Sequence, residues 1–312
     1  MLADASMELP NVKYKLGTTI AEVLSNSDDS VKVEFSNGET SEYDLLVAAD
    51  GQWSRTRKQC FLPEEVTTVD KNMYAVYWTL PRLPEDNDMW TLYQALGSRI
   101  LTIRPDPYGD MRGMFTLMPL NDEQKMAWES ASRGTREEQH ALLRKEFADA
   151  GWIAPRLLAS MDQADDFYFQ SLKQMKLTTW SRNRVVCIGD SAYAPTPLTG
   201  AGANLAILGA YVLAGELGKL EKGAHPAKAL EAYERTFRPF VEEIQQVPSF
   251  VPGIAHPATA FKRSLFRGMI WVISKLAKIP WFASQHDETK EDASFPMPQY
   301  SSFAGVHGTS SK

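Results

Sequence analysis

Val185 to Leu217 reads VVCIGDSAYAPTPLTGAGANLAILGAYVLAGEL, which lays out a strand, a turn, a proline-stiffened loop and a helix in that order. Val185 to Ile188 is short, apolar and β-branched, the pattern of a buried strand. Gly189-Asp190 ends it, and a carboxylate just past the carboxyl end of a parallel strand is placed to accept hydrogen bonds from ligand hydroxyls. Pro195 and Pro197 each fix a φ angle, so the loop is stiff. Gly200 and Gly202 let backbone approach a planar ligand closely. In the helix that follows, Leu205, Leu208, Val212 and Leu213 fall at helical spacing, with Ala206, Ala210 and Ala214 allowing close packing. Its N-terminus, from Gly200 through Ala201, Gly202 and Ala203 to Asn204, offers free N–H groups to a developing anion. An ordinary strand–loop–helix corner would not need so many specific elements in one order.

Gly200-Ala201-Gly202 is not a dinucleotide fingerprint. In a G-x-G-x-x-G turn the first glycine follows its strand directly; here Gly189 to Thr199 intervene. No strand near the N-terminus carries such a turn either. A second informative stretch is Tyr43 to Arg57, YDLLVAADGQWSRTR. Leu45 to Ala49 reads as an apolar strand, Asp50-Gly51 as a sharp turn, and Ser54 as the N-cap of a helix carrying Arg57.

Together the two stretches resemble the short flavin-contact motifs of aromatic-hydroxylase-type flavin monooxygenases, the para-hydroxybenzoate hydroxylase fold. One motif is D-G-x-x-S-x-x-R, matched by Asp50, Gly51, Ser54 and Arg57. The other is G-D, a usual histidine, then P-x-x-G-x-G-x-N, matched by Gly189, Asp190, Pro197, Gly200, Gly202 and Asn204. The histidine is replaced by Tyr193, which keeps a hydrogen-bonding tip but is not a proton carrier, since it does not titrate near neutral pH. The chain is similar to tetracycline-inactivating and secondary-metabolite tailoring members, and its Phe295–Tyr300 phrase is similar to the family's ending.

The resemblance implies a mixed α/β (α+β) architecture: a partial Rossmann-like FAD/NAD(P)-binding domain, an inserted antiparallel substrate sheet and C-terminal helices. The expected divisions are 1–66 for the partial flavin domain without its first βαβ unit, 67–180 for the sheet, 181–225 for the second flavin motif, and 226–312 for helices and a disordered tail. It implies an FAD-dependent monooxygenase, reduced by NADPH or NADH, that hydroxylates or epoxidises an aromatic or polyketide-like molecule of secondary metabolism. The cofactor carries the hard chemistry and the protein supplies position and electrostatics. Asp190 would bind the ribityl hydroxyls, Pro197 would lie near the ring, and the N–H groups of Gly200 to Asn204 would face the reduced ring. Asp50, Gly51 and Arg57 would support the pyrophosphate side.

The lack of an opening βαβ unit predicts exposed edge groups and apolar faces at Leu45–Ala49 and Val185–Ile188. A chain begun late, a partner strand (including the same strand of a second copy) or a rearranged sheet would each answer it. Two other readings stay open: a flavin-free relative guiding a non-redox cyclisation or isomerisation, and a non-catalytic fragment or subunit. No catalytic base is assigned.

Between the motifs, Val31 to Phe35 alternates, Asn37-Gly38 turns, and Thr40 to Tyr43 returns, a β-hairpin. Val12 to Tyr14 reads as a strand preceded by a helix. Met73 to Leu80, Leu92 to Arg104 and Arg112 to Met118 read as strands of the inserted sheet. Tyr74, Val76 and Trp78 share one face, and with Met114 and Thr116 they are candidate lining for a substrate cavity. That they fill the core instead stays open. Arg136 to Ala150 and Ala227 to Ile244 read as helices.

The 312 residues are 44% hydrophobic and 23% charged, as in globular domains. A net charge of −6 without a long basic run argues against nucleic acid. Two cysteines, Cys60 and Cys187, suggest a reducing, cytoplasmic compartment. No signal peptide or membrane-spanning run is visible, although 261–283 is basic and aromatic, a helix for the flavin domain or for a membrane surface. The five histidines show no metal-ligand spacing, so no metal is expected.

Overall fold

The computed structural model describes residues 2–246, 251–276 and 295–303. After helix α1 (Leu2–Met7) the chain is irregular through Val12 to Tyr14. The strand expected there does not form, because no neighbouring strand supplies it with ladder partners. Strands β1 (Ile20–Asn26), β2 (Val31–Phe35) and β3 (Thr40–Tyr43) make a small antiparallel sheet in that order. Its hairpin turns at Asn37-Gly38, where Gly38 takes φ +82° and the Asn37 side chain accepts from the Glu39 N–H at 3.1 Å. Val31 and Val33 are fully buried on the face the alternation marked.

Strand β4 (Leu46–Ala48) leads through the Asp50-Gly51 turn into helix α2 (Arg55–Cys60), capped by Ser54 as its sequence suggests. The large sheet follows, with β5 (Val66–Leu80), β6 (Thr91–Ala95), β7 (Arg99–Pro105) and β8 (Met111–Leu117). The single run expected over Leu92 to Arg104 is a hairpin of two strands, turned where Gly97 and Ser98 both take positive φ. Helices α3 (Asp122–Ala131), α4 (Arg136–Phe147) and α5 (Ala154–Ser160) come next, then β9 (Tyr168–Leu177). The sheet order is β6-β7-β8-β5-β9, every neighbour antiparallel.

Helices α3 to α5 cover one face of this sheet, and the aromatic side chains interlock there. Phe115 stacks on Phe147 at 4.2 Å, and Trp78 meets Phe115 edge-on at 5.1 Å. The Trp78 indole lies against Gly113 on the paired strand, where a Cβ would sit 3.2 Å from the ring, and its N–H donates to Ser160 Oγ at 2.9 Å. Buried indoles usually find such an acceptor.

The remaining elements return to β4. Strand β10 (Ser181–Arg182) pairs with β11 (Val185–Cys187), and β11 runs parallel to β4. Short helix α6 (Asp190–Tyr193), long helices α7 (Gly202–Leu217) and α8 (Ala227–Ile244), then α9 (Val251–Ala255) and α10 (Ala260–Leu276) complete the fold. A second core forms among Trp180, Tyr193, Tyr233 and Phe237 between this sheet and α7–α8. In α8, Leu230, Tyr233, Phe237 and Val241 all face inward, as their spacing predicts.

Phe261, Leu265 and Trp271 of α10 are exposed, while Lys278 and Trp281 lie outside the described residues. Of the tail expected to be disordered, Ser301–Phe303 forms one 3-10 turn, and 304–312 lies outside the described residues. Among the described residues no helix is long and apolar enough to cross a membrane.

Candidate active site

Parallel pairing of β4 with β11 sets Ala48 beside Cys187, so the turns after both strands emerge side by side. The two motifs, far apart in sequence, thus share one crevice at the carboxyl ends of parallel strands, the usual ligand position in such sheets. Ser191 Oγ donates to the Ala48 carbonyl at 2.6 Å and locks the turns together.

Asp50 and Arg57 serve this junction from within. The Asp50 carboxylate accepts from Ser54 Oγ and from the N–H groups of Arg55 and Thr56 at 3.0 and 3.2 Å. These bonds hold its pKa below the ordinary carboxylate value, against the desolvation that pushes it up. Arg57 is only 2% exposed. It donates to the Ser191 carbonyl at 2.6 Å and the Gln52 carbonyl at 2.8 Å, leaving its buried Nε without a protein partner. Gly51, at φ +81°, makes the turn sharp. These three residues fix the turn, with no free guanidinium reaching outward, and any support for a pyrophosphate side would take that form.

Asp190 is different. It is exposed, and its carboxylate accepts no hydrogen bond from any described residue. Oδ1 lies 3.9 Å from where a Gly202 Cβ would be, so it faces the start of α7. Neighbouring protein desolvates the carboxylate enough to push its pKa up. No side chain caps α7: the Ala201 N–H bonds Thr199 Oγ1 at 3.2 Å, and the helical ladder starts at the Leu205 N–H. The N–H groups of Gly202, Ala203 and Asn204 form the open first turn. An unpaired carboxylate beside three unpaired N–H groups fits a ligand that offers hydroxyl donors and a negatively charged ring, which is what a flavin offers.

The loop between is held under tension. Thr196 takes φ +83° and ψ 148°, a conformation nearly reserved for glycine, between the two prolines. Its Oγ1 accepts from the Leu198 N–H at 3.1 Å, and Gly200 closes the turn at φ +65°. Two buried glutamines that sequence reasoning missed clamp the loop from behind. Gln174 donates to the carbonyls of Pro195 and Gln245 at 3.1 and 2.9 Å. Gln245 donates to those of Met175 and Tyr193 at 2.9 and 3.0 Å. Nothing local in the sequence marks them, since their partners are backbone atoms of distant segments. Tyr193 turns away from the crevice, donating or accepting at 2.9 Å with Tyr233 in the second core.

Pro197 and Leu198 form one wall of a cavity of about 700 Å³ whose opposite wall is the large sheet. The sheet face turned to it carries Ala75 and Tyr77 of β5, Met114 and Thr116 of β8, and Thr102 and Arg104 of β7. Met114 and Thr116 are where the sequence suggested. Tyr74, Val76 and Trp78 are not: all three point to the other face, fully buried against α3 to α5. The period-2 pattern separates the faces correctly, but both are covered, and for these three the choice left open between lining and core falls to the core. Thr116 Oγ1 is fixed at 2.8 Å by Nε2 of His256, whose Nδ1 lies 2.8 Å from the Pro252 carbonyl. Burial pulls the His256 pKa below its ordinary value. The neutral ring then donates from Nδ1 and accepts from Thr116.

A family model described as "FAD binding domain" matches residues 1–247. The chain belongs to that family. The monooxygenase CTB7 of Cercospora beticola is 35% identical over 80% of this chain and 59% of its own length. The FAD-dependent monooxygenase asL6 of Sarocladium schorii is 32% identical over 89% of this chain and 64% of its own. The chain thus spans under two thirds of the length of these two relatives. Among solved structures, the tetracycline destructase Tet(51) superposes with TM-score 0.71 at 26% identity, over 91% of this chain and 70% of that one. The recognition drawn from Asp50-Gly51 and Gly189-Asp190, an aromatic-hydroxylase-type flavin fold, agrees with all three.

Proposed function

We propose that the chain is the flavin- and substrate-holding part of an FAD-dependent monooxygenase. It would act on an aromatic or polyketide-like molecule, with NADPH or NADH as electron donor. The observation that carries this is the 700 Å³ cavity bounded on one side by Pro197–Leu198 and on the other by the sheet. A substrate held there would lie directly against the loop suited to a flavin ring. When bound, FAD would supply reduction by the nicotinamide and activation of oxygen. The chain's own residues bind, orient and exclude water. Asp190 would accept from ribityl hydroxyls, and the Gly202 to Asn204 N–H groups would stabilise negative charge beside the ring. The strained Thr196 turn and the Gln174–Gln245 clamp hold that geometry before any ligand arrives, so no binding energy is spent ordering it.

In this reading residues 1–66 and 181–225 make the flavin side and 67–180 the substrate sheet. The resemblance of CTB7 and asL6 supports a role in secondary metabolism, and the two free cysteines support a reducing cytoplasmic setting. The test is the visible absorption spectrum of the purified chain after mixing with FAD and desalting, with the bound cofactor released by denaturation and identified. Flavin near stoichiometry, and NADPH or NADH oxidation stimulated by planar aromatic compounds, are expected. A colourless chain that never retains FAD overturns the proposal and directs attention to non-redox chemistry.

A further inference from the structure

Helix α10 (Ala260–Leu276) is started by its own sequence and then left almost bare. The Thr259 hydroxyl accepts from the Lys262 N–H at 3.3 Å, and the Thr259 carbonyl accepts from the Arg263 N–H at 3.0 Å, which makes a cap and a first turn. Contacts around that turn tether the helix to the β6–β7 hairpin. The Gly97 N–H donates to the Ala258 carbonyl at 3.1 Å, Gln94 Nε2 to the Ala255 carbonyl at 2.9 Å, and Arg263 to the Gln94 carbonyl at 3.3 Å. From 260 to 275 only Arg263 and Phe266 are half-buried; every other residue is exposed.

The bare surface is two-sided. Phe261, Leu265, Met269, Val272 and Ile273 recur at helical spacing on one arc, and all are 42–77% exposed. Arg263, Arg267 and Ser274 fall on the other side, and Lys275 holds its ammonium 5.6 Å from the centre of the exposed Trp271 ring. Lys262, in the first turn beside the apolar arc, has a stem long enough to carry its charge clear of it. Four basic residues and no acid give α10 a charge of +4. The whole chain is at −6, so all the other residues together stand at −10.

These charges choose among the covers for such a face. A second copy docked arc to arc would bring +4 against +4. The acidic body of the chain already holds the start of α10, yet the apolar arc does not lie against it. An anionic lipid surface satisfies both sides of the helix at once: acyl chains take the apolar arc and headgroups take the basic side and Trp271. The same surface repels the acidic remainder, so α10 arrives first. At 17 residues the helix lies on a bilayer and does not cross it.

We propose that α10 docks the protein on an anionic phospholipid surface, lying in the interface plane with its Phe261–Leu265–Met269 arc inward. Because the tether runs to β6, docking brings the cavity-bearing sheet to the bilayer. The attachment needs no flavin.

The test is flotation of the chain with large unilamellar vesicles, of phosphatidylcholine alone or of phosphatidylcholine mixed with phosphatidylserine. One basic side chain near an anionic surface contributes about fivefold, so four predict a preference for the mixed vesicles on the order of a hundredfold. That preference should shrink as salt is raised. Binding should shift the tryptophan emission to the blue, and Trp271→Phe should remove the shift. Arg267→Gln with Lys275→Gln should lower the preference about twentyfold. Leu265→Ser with Val272→Ser should abolish binding to either vesicle. All four side chains are exposed, so both double variants should keep the parent melting temperature, which separates lost docking from lost folding. No flotation, equal binding to the two vesicles, or binding that survives both double variants each overturns the proposal. If vesicles are not bound and sedimentation equilibrium instead shows a dimer that Leu265→Ser with Val272→Ser dissolves, the proposal also falls and the face belongs to a second copy.

Discussion

Asp190 is the residue on which the proposed flavin binding turns. Its carboxylate has no protein donor and faces the open first turn of α7. Asp190→Ala should therefore remove flavin retention, measured as the ratio of visible to ultraviolet absorbance after desalting; an unchanged ratio would reject the ribityl contact. The same residue carries a stability signature. Its folded pKa is raised by desolvation, so ionisation disfavours the folded state, and the stability present below the ordinary carboxylate pKa is lost as pH rises through the folded value. Asp190→Asn should raise the melting temperature of the flavin-free chain at neutral pH while it lowers FAD affinity.

His256 behaves in the opposite sense. Its folded pKa is depressed by burial, so the unfolded chain binds the proton more readily, and stability falls as pH drops below the imidazole's ordinary 6.5. His140, also lowered by burial, adds to that slope. In His256→Asn, denaturant titrations between neutral and mildly acidic pH should show a shallower decline than in the parent chain.

At the scale of elements, the loop from Ala194 to Ala201 was legible in composition but not in mechanism. Its two prolines and Gly200, with Gly202 just beyond, announce stiffness and close approach. They did not announce that Thr196 would bear the glycine-like conformation, or that Gln174 of β9 and Gln245 at the end of α8 would hold the loop in place. Clamps of this kind join side chains to backbone carbonyls of segments far away, and no local pattern encodes them. Gln245→Leu leaves the Met175 and Tyr193 carbonyls buried without donors and should cost about 2–4 kcal/mol in chemical denaturation. FAD or aromatic ligands should restore part of that loss if the loop is their binding surface.

Across the whole molecule, the elements that sequence located best were those whose burial is one-sided. Strand β2 and helix α8 each have a solvated face, and their periodicity gave the inward residues directly. The central strand β5 is covered on both faces, by α3 to α5 on one and by the cavity on the other, so alternation named two sets without ranking them. That is why the sequence leaves Tyr74, Val76 and Trp78 open between lining and core, while the structure buries all three and stands Tyr77, one residue away, in the cavity. The flavin motifs were legible because each lies within a few residues of chain. Their meeting was not, since it depends on the parallel ladder between β4 and β11.

That ladder also sets an order of events in time. Ala48 and Ser191, joined across it, are 143 residues apart in the chain. Antiparallel hairpins such as β6–β7 close over a handful of residues, whereas the parallel pair must wait for the chain between its strands to collapse. The crevice is then the last part of the molecule to be born. During refolding from denaturant, the near-ultraviolet signal of the Trp78 and Trp128 cluster should recover before the capacity to capture a flavin. Simultaneous recovery of both signals would mean that the ligand site nucleates the fold.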